Sequence, residues 1–361
     1  MKKKKRTSKY IGIAQMLEAR VRRGDYALRK LPSENELAEE TGVSRMTARR
    51  ALMHLMDEGI LVRRPHGRLE IASGPDVNAT AHQIAFLMPP SVSEDVQAWQ
   101  WAAEEAAGKM GGVLRPVIFT DWNDVLIPNV LKGFDGVFLM QTGREVPADA
   151  VLTLKNSSCP VVSLDLDLSA SGIPSICLFP KWAIWKLLDH VRELGHTRIA
   201  CFNTCQTNVV IQSRIDDWRA WKAKRHIEGD LFNLPGEDTT IDYGAVCAEK
   251  EFGRLLDEKR FQDTAVLCTN VWTSLGVEKA MDRRGLQVGR AISVCAVNDE
   301  MLAPWLSPTL TSLRMPDAED LLTRCIKWIM SGGKDWEGSL LLSPDDVPLY
   351  IGESTGPTME R

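Results

Sequence analysis

What this 361-residue chain lacks narrows its chemistry before any motif is read. No stretch approaches the roughly eighteen consecutive apolar residues of a membrane-spanning helix. The opening MKKKKR run has no apolar segment behind it to make a secretory signal, so it is expected to be a disordered basic arm on a cytoplasmic protein. The eight cysteines, at 159, 177, 201, 205, 247, 268, 295 and 325, include no CxxC pair, so neither a disulfide framework nor a zinc site is expected. Cys201, Cys268 and Cys295 fall inside apolar strand-like runs, where a free thiol is a small buried hydrophobe. The six histidines are scattered without metal-ligand spacing. A G-x-S-x-G elbow, a Walker A loop and a G-x-G-x-x-G turn after a strand are all missing, so neither catalysis nor a cofactor is expected. His196, in the helix-to-strand turn LGHTRIA, is expected to make a structural hydrogen bond.

Charge, by contrast, is unevenly placed. Residues 1–80 carry 17 Lys and Arg against 10 Asp and Glu, net +7, and the rest of the chain is net −11 within a total of −4. The basic part also holds the clearest motif, LPSENELAEETGVSRMTARRALMHLMDEGILVRRPHGR, residues 31–68. Tyr10, Ile13, Leu17 and Val21 recur at helical spacing, with Gly24 suited to end that helix. Ser33 and Glu36 form a capping box that starts a short second helix. Thr41-Gly42-Val43 makes a tight turn, and Ser44 caps a third helix that buries Ala48, Ala51, Leu52 and Leu55 and closes at Gly59. Two short strands around Pro65-His66-Gly67 complete a winged helix-turn-helix.

The third helix exposes Arg45, Met46, Thr47, Arg49 and Arg50 at its start, where a helix entering the major groove presents side chains to base edges. Arg45 and Arg49 are neighbours one turn apart, and arginine matches the O6/N7 edge of guanine. Small helical domains with exposed arginines also bind proteins, but here the positive field lies where DNA would lie. The wording of residues 8–72 closely resembles the DNA-binding domain of the GntR family of bacterial regulators. That resemblance implies DNA contacts from Ser44, Arg45, Thr47 and Arg49 and, at the wing tip, from His66 and Gly67. The chain departs from the pattern at Asn35, where relatives commonly carry arginine, and in a wing reading HGRLEI rather than GxGTxV. Those departures imply a different operator sequence.

SGPDVNATAH, residues 73–82, is small and turn-prone, and marks a linker between the head (1–72) and a second domain (83–361). Beyond it, short apolar runs alternate with helical segments: QIAFLM, helix 96–110, VLRPVIF, helix 124–131, GVFLM, helix 148–156, VVSLDL and helix 181–194. A second series comes next: RIACF, a helix near 214–225, another near 243–257, AVLCT, helix 274–285 and ISVCAV. This alternation predicts an α/β fold with doubly wound parallel sheets in two lobes, with ligands held at the strands' carboxyl ends.

The runs RELGHTRIACF, AVLCTNVWTSLGVEKAMDRRGLQVGRAISVCAVND and SPTLTSLRMP resemble the periplasmic-binding-protein-like effector domain of LacI/GalR regulators. Joined to a GntR-type head, the layout is similar to arabinose-responsive repressors, and the linker shows no hinge helix. The resemblance implies a homodimer on a pseudo-palindromic operator of double-stranded DNA, at the nucleoid, released by a small-molecule effector such as a sugar. It also implies Arg214 as the leading ligand contact, with Asn270, Trp272, Asn298 and Asp299 around it. Asp217 and Trp218 replace the usual Gly-Phe after Arg214, Val271 replaces an acid, one carboxylate of the 298–299 pair is missing, and Glu353 replaces an arginine. These changes leave open an effector that is not a sugar, or a cleft that binds nothing. Trp99, Trp101, Trp185, Trp221, Trp305 and Trp328 are expected as core or dimer contacts.

Overall fold

A computed structural model of the chain describes residues 9–22, 26, 31–63, 69–71, 82–90, 94–140, 146–236 and 241–358. The basic arm, Gly24, the wing tip with His66 and Gly67, and the linker through residue 81, with its expected lack of a hinge helix, lie outside them.

The head is built from α1 (Lys9–Arg22), α2 (Glu34–Thr41), α3 (Arg45–Asp57), β1 (Leu61–Arg63) and β2 (Leu69–Ile71). Both expected caps are present. The Glu36 amide donates to Ser33 Oγ at 3.3 Å while the Ser33 amide donates to Glu36 Oε2 at 2.8 Å, so two orphan donors at the start of α2 are satisfied reciprocally. Gly42 then takes φ +64, the left-handed turn that sets α3 across α2. Ile13, Leu17, Leu37, Ala48, Ala51, Leu52 and Leu55 close into one buried core, and β1 and β2 pair antiparallel as the arms of the wing.

From residue 83 the chain runs β3 (Gln83–Met88), α4 (Glu94–Lys109), β4 (Val113–Ile118), α5 (Leu126–Gly133), β5 (Gly136–Met140), α6 (Ala148–Lys155), β6 (Val161–Leu164), β7 (Ser175–Ile176) and α7 (Lys181–Glu193). It continues as β8 (Ile199–Asn203), α8 (Val209–Arg225), β9 (Leu231–Asn233), α9 (Ile241–Asp257), β10 (Ala265–Cys268), α10 (Val271–Asp282), β11 (Ser293–Ala296), β12 (Thr311–Leu313), α11 (Glu319–Met330), β13 (Leu341–Leu342) and β14 (Leu349–Tyr350). These strands form two six-stranded sheets, ordered β13-β7-β6-β5-β3-β4 and β14-β12-β11-β10-β8-β9. Every pairing in them is parallel except β12 with β14. β5, β6, β8, β10 and β11 are buried at every residue, because helices cover both faces of a parallel sheet.

The lobes are not consecutive in sequence. α11 comes after β12 of the second lobe yet packs Leu322, Cys325, Ile326 and Ile329 into the core of the first, and β13 and β14 then return one strand to each sheet. Neither α11 nor β7, β9, β12, β13 and β14 is among the elements expected from the sequence. Strands of two or three residues carry no readable period. Two helix starts also differ from expectation. α10 begins at Val271 rather than Ser274 and α8 at Val209 rather than near Arg214, because Asn270 Oδ1 accepts the Thr273 amide and Asn208 Oδ1 the Ile211 amide, both at 2.9 Å.

His196 makes the expected structural bonds: Nδ1 meets Thr264 Oγ1 at 2.8 Å and Nε2 meets Ser293 Oγ and the Gly356 carbonyl at 3.0 Å. Cys201, Cys268 and Cys295 are buried in their strands. Among the tryptophans, Trp99 and Trp221 are core residues, while Trp101 and Trp305 stand 59% and 84% exposed.

Gly136 opens β5 directly beneath α11, and a methyl group there would collide with the Ile329 side chain. Gly136→Ala is therefore expected to destabilise the first lobe by about 1–3 kcal/mol, the usual cost of overpacking. A lowered thermal midpoint of the full chain would register it, and an unchanged midpoint would contradict this packing of α11.

Candidate nucleic-acid interface and ligand cleft

At the start of α3, Arg45, Arg49 and Arg50 are exposed, with Thr47 partly buried beside them. Ser44 Oγ accepts the Thr47 amide at 3.3 Å and lies 2.8 Å from Thr47 Oγ1, so in the free head that hydroxyl serves the helix cap. Glu34 is a participant that the sequence did not single out. Arg45 Nε donates to Glu34 Oε2 at 3.0 Å, and Arg49 Nε lies 3.8 Å from Glu34 Oε1. One carboxylate at the start of α2 thus holds both guanidinium groups over the same face. Such exposed pairs contribute little stability, so their effect is to orient the arginines. Asn35 is exposed in the same first turn.

The second site lies between the lobes. Arg214, in the second turn of α8, donates through Nη1 to the Thr269 carbonyl at 2.7 Å and stands 5.7 Å from the centre of the Phe179 ring. Its charge bears on Asp95 in the first turn of α4, Asp165 just past β6 and Glu300 after β11. Asp95 and Asp165 come from the first lobe, Arg214 and Glu300 from the second. Asn298 ties the lobes together: its Nδ2 donates to Asp95 Oδ2, while its Oδ1 accepts the Glu300 amide at 3.1 Å. Two indoles anchor the other carboxylates, Trp99 Nε1 donating to Asp165 Oδ2 at 2.6 Å and Trp272 Nε1 to Glu300 Oε1 at 3.1 Å.

Of the five residues expected at the ligand, Arg214, Trp272 and Asn298 join this group. Asn270 has its polar atoms engaged in the α10 cap and in a bond to Cys205 Sγ at 3.1 Å. Asp299 is fully buried outside the group, its Oδ1 accepting the Met301 amide at 3.0 Å and its Oδ2 3.7 Å from Arg314 Nε, which fits a role in holding the β11 turn. Asp95, Trp99, Asp165 and Glu300 were not expected there. Asp165 and Glu300 take φ +57 and φ +44, conformations that residues with a side chain seldom adopt and that concentrate at functional sites.

Burial, then repulsion from Glu300 and Asp165, pushes Asp95 from its ordinary 3.8 up to about 7. Burial also raises Asp165, against the Trp99 bond and the Arg214 charge, and lowers Arg214 while the carboxylates draw it back up.

Residues 9–71 match the bacterial regulatory proteins of the gntR family and residues 188–339 the periplasmic binding protein-like domain. The chain joins a GntR-type head to a periplasmic-binding-protein-like domain. Among curated relatives, it is 26% identical over 188 residues to the HTH-type transcriptional repressor PurR of Aliivibrio fischeri, 51% of this chain and 54% of that one. It is 24% identical over 190 residues to CytR of Escherichia coli, covering 53% and 54%. The chain thus spans about half the length of the curated relatives it matches. Solved structures share the fold: a LacI family regulator from Bifidobacterium animalis subsp. lactis (TM-score 0.64, 17% identity, 77% of this chain and 98% of that one) and the lac repressor dimer bound to operator and the anti-inducer ONPF (0.62, 18%, 76% and 94%). A LacI family regulator from Enterococcus faecium with bound ribose scores 0.61 at 18% identity, over 77% and 100%. Among the described residues, no helix is long and apolar enough to cross a membrane.

The raised Asp95 carries a stability consequence. A carboxyl group whose value is higher folded than unfolded favours the folded state at low pH and loses that advantage as pH rises from its unfolded value, near 3.8, through about 7. Asp95→Asn is therefore expected to raise the melting temperature above neutral pH and to leave it unchanged in acid, as thermal melts across that range will read. A gain that is the same at every pH would mean that the ionised carboxylate is not the cause.

Proposed function

We propose that this protein is a ligand-responsive, DNA-binding transcriptional regulator, a repressor of carbohydrate-related genes released by a small-molecule effector. The observation that carries the reading is the presence in one chain of an arginine-bearing helix on a winged head and a polar cleft between two lobes. The head supplies phosphate and base contacts through Arg45, Thr47, Arg49 and Arg50, with Asn35 and Ser44 beside them and His66 and Gly67 assigned from the family resemblance alone. The cleft supplies the ligand site.

A homodimer suits both parts, since two heads on a pseudo-palindrome reproduce a protein two-fold axis. Trp101 on α4, Ile118 on the edge strand β4 and Trp305 supply exposed apolar groups for the pairing. The named relatives PurR and CytR are repressors, which supports the sign of regulation. Effector binding shifts DNA affinity only by its differential affinity for two arrangements of the dimer, with about 1–3 kcal/mol typical.

Operator sites selected from random DNA by the full chain provide the test. Arg49→Ala is expected to weaken binding to the selected site by about 1–3 kcal/mol and to relax its specificity while the dimer stays folded. Unchanged affinity would remove α3 as the recognition helix. Arg214→Ala is expected to keep operator binding and lose effector response; a surviving response would place the ligand elsewhere.

A further inference from the structure

Given sequence-specific DNA binding by the head, as proposed, the way its arginines are held bears on how an operator is told from other DNA. Ser33 caps α2 and Ser44 caps α3, so Glu34 and Arg45 each stand as the first residue of a helix whose start is fixed by hydrogen bonds. Gly42, at φ +64, turns the chain between the two helices so that these starts meet. Glu34 Oε2 accepts Arg45 Nε at 3.0 Å, and Glu34 Oε1 lies 3.8 Å from Arg49 Nε. The Glu34 side chain is 20% exposed, against 67% for Arg45 and 56% for Arg49.

Both contacts are made at Nε, which decides what each guanidinium has left to offer. Tied there, the planar fork turns the edge formed by its two Nη atoms away from the carboxylate, and that edge can meet guanine O6 and N7 with both donors. Two long side chains are thereby held for base contact, and less freedom is lost on docking. The same carboxylate has the opposite effect on contacts to phosphate. A phosphate attracts a guanidinium as a charge, whatever the sequence beside it, and the Glu34 charge beside both Nε atoms repels it.

We infer that Glu34 sets the sequence specificity of the head: it positions Arg45, and less tightly Arg49, for guanine edges and penalises the phosphate contacts by which the same arginines would hold any DNA. It acts through those arginines and is therefore a positioning residue. The two effects combine in the ratio of operator to non-operator affinity, although in folding stability an exposed pair of this kind contributes little.

Fluorescence anisotropy of the full chain on its selected operator and on a scrambled duplex of the same length, over a series of salt concentrations, reads both effects. Glu34→Gln keeps the size of the side chain and removes its charge. Affinity for the scrambled duplex is expected to rise about fivefold to tenfold at about 0.1 M salt, and the slope of log K against log salt to steepen by about 0.9, the counterion effect of one charge. Operator affinity is expected not to rise with it, because the released Nη edges lose their fixed aim, so the ratio falls by about fivefold or more. Glu34→Asp restores the charge on a side chain one methylene shorter. Its slope on scrambled DNA is expected to match the parent's while its operator affinity stays below the parent's. Arg45→Lys keeps a charge without the planar fork, and in that background the effect of Glu34→Asp on operator affinity is expected to shrink. Thermal melts of the Glu34 variants are expected to stay close to the parent's.

An operator affinity for Glu34→Gln that rises in step with that for scrambled DNA overturns the inference, because Glu34 would then act as a plain charge. Parental operator affinity in Glu34→Asp overturns it too, since reach would not matter. A selection that enriches no DNA sequence is a different failure. It removes the sequence-specific regulator and the role of Glu34 with it, whereas an enriched operator with an unchanged ratio removes the role of Glu34 alone.

Discussion

A parallel sheet has no face that it can leave to water, and most of this molecule is a consequence of that constraint. Both sheets must be covered on each side, so most strands are followed by a crossover helix, and the chain leaves the parallel strands of a sheet at the same edge. Charged residues, absent from the fully buried strands β5, β6, β8, β10 and β11, collect just beyond those edges. Asp165 comes after β6, Asn298 and Glu300 after β11, and Thr269 after β10. The two lobes present these edges to each other, which is why a group from α4 and a group from α8 meet although 119 positions separate Asp95 from Arg214.

Bringing ionisable groups together in a partly dry cleft costs stability, and the surroundings offset that cost unevenly. Arg214 has a carbonyl and an aromatic ring; Asp165 and Glu300 each have an indole N–H. Asp95 has an amide donor and two repelling carboxylates, and burial first, then that repulsion, pushes it up to about 7. Left-handed backbone at Asp165 and Glu300 points the same way, since strain of this kind persists only where the surrounding packing over-determines it. Both are expected of a site organised to meet a ligand rather than to maximise the stability of the free protein.

Much of the fold was legible in the residues themselves. The capping box at Ser33 and Glu36, the turn at Gly42 and the apolar period of α3 specify the head locally, over spans of three to seven residues, and the structure returns them nearly unchanged. The long buried strands were equally plain, because a strand covered on both faces is a continuous apolar run. What could not be read was long-range. Nothing in α11 says that it returns to the first lobe, since its apolar face would suit either core. The cleft was half-legible for the same reason. Arg214, Trp272 and Asn298 sit in motifs, whereas Asp95 and Glu300 are ordinary acids whose role exists only once two lobes close on each other. Asp165 alone left a signal, a carboxylate inside the otherwise largely apolar run VVSLDL.

The bond from Asn298 to Asp95 joins the two lobes directly. An effector is therefore measured against a cleft that already has a bridge of its own, and only contacts better than that bridge in one arrangement of the lobes can shift the balance. A single hydrogen bond to a charged group is worth about 1.5–3 kcal/mol, the same order as the whole coupling between effector and DNA in proteins of this kind. The protonation state of one aspartate is then large enough, on this scale, to tune regulation. Ionisation of Asp95 strengthens its bond from Asn298 but also sets it against Glu300 of the other lobe, and because that repulsion is the larger of the two, the bridge is held less firmly as pH rises. Those two effects oppose each other at Asp95, and their difference sets how steeply the protein responds.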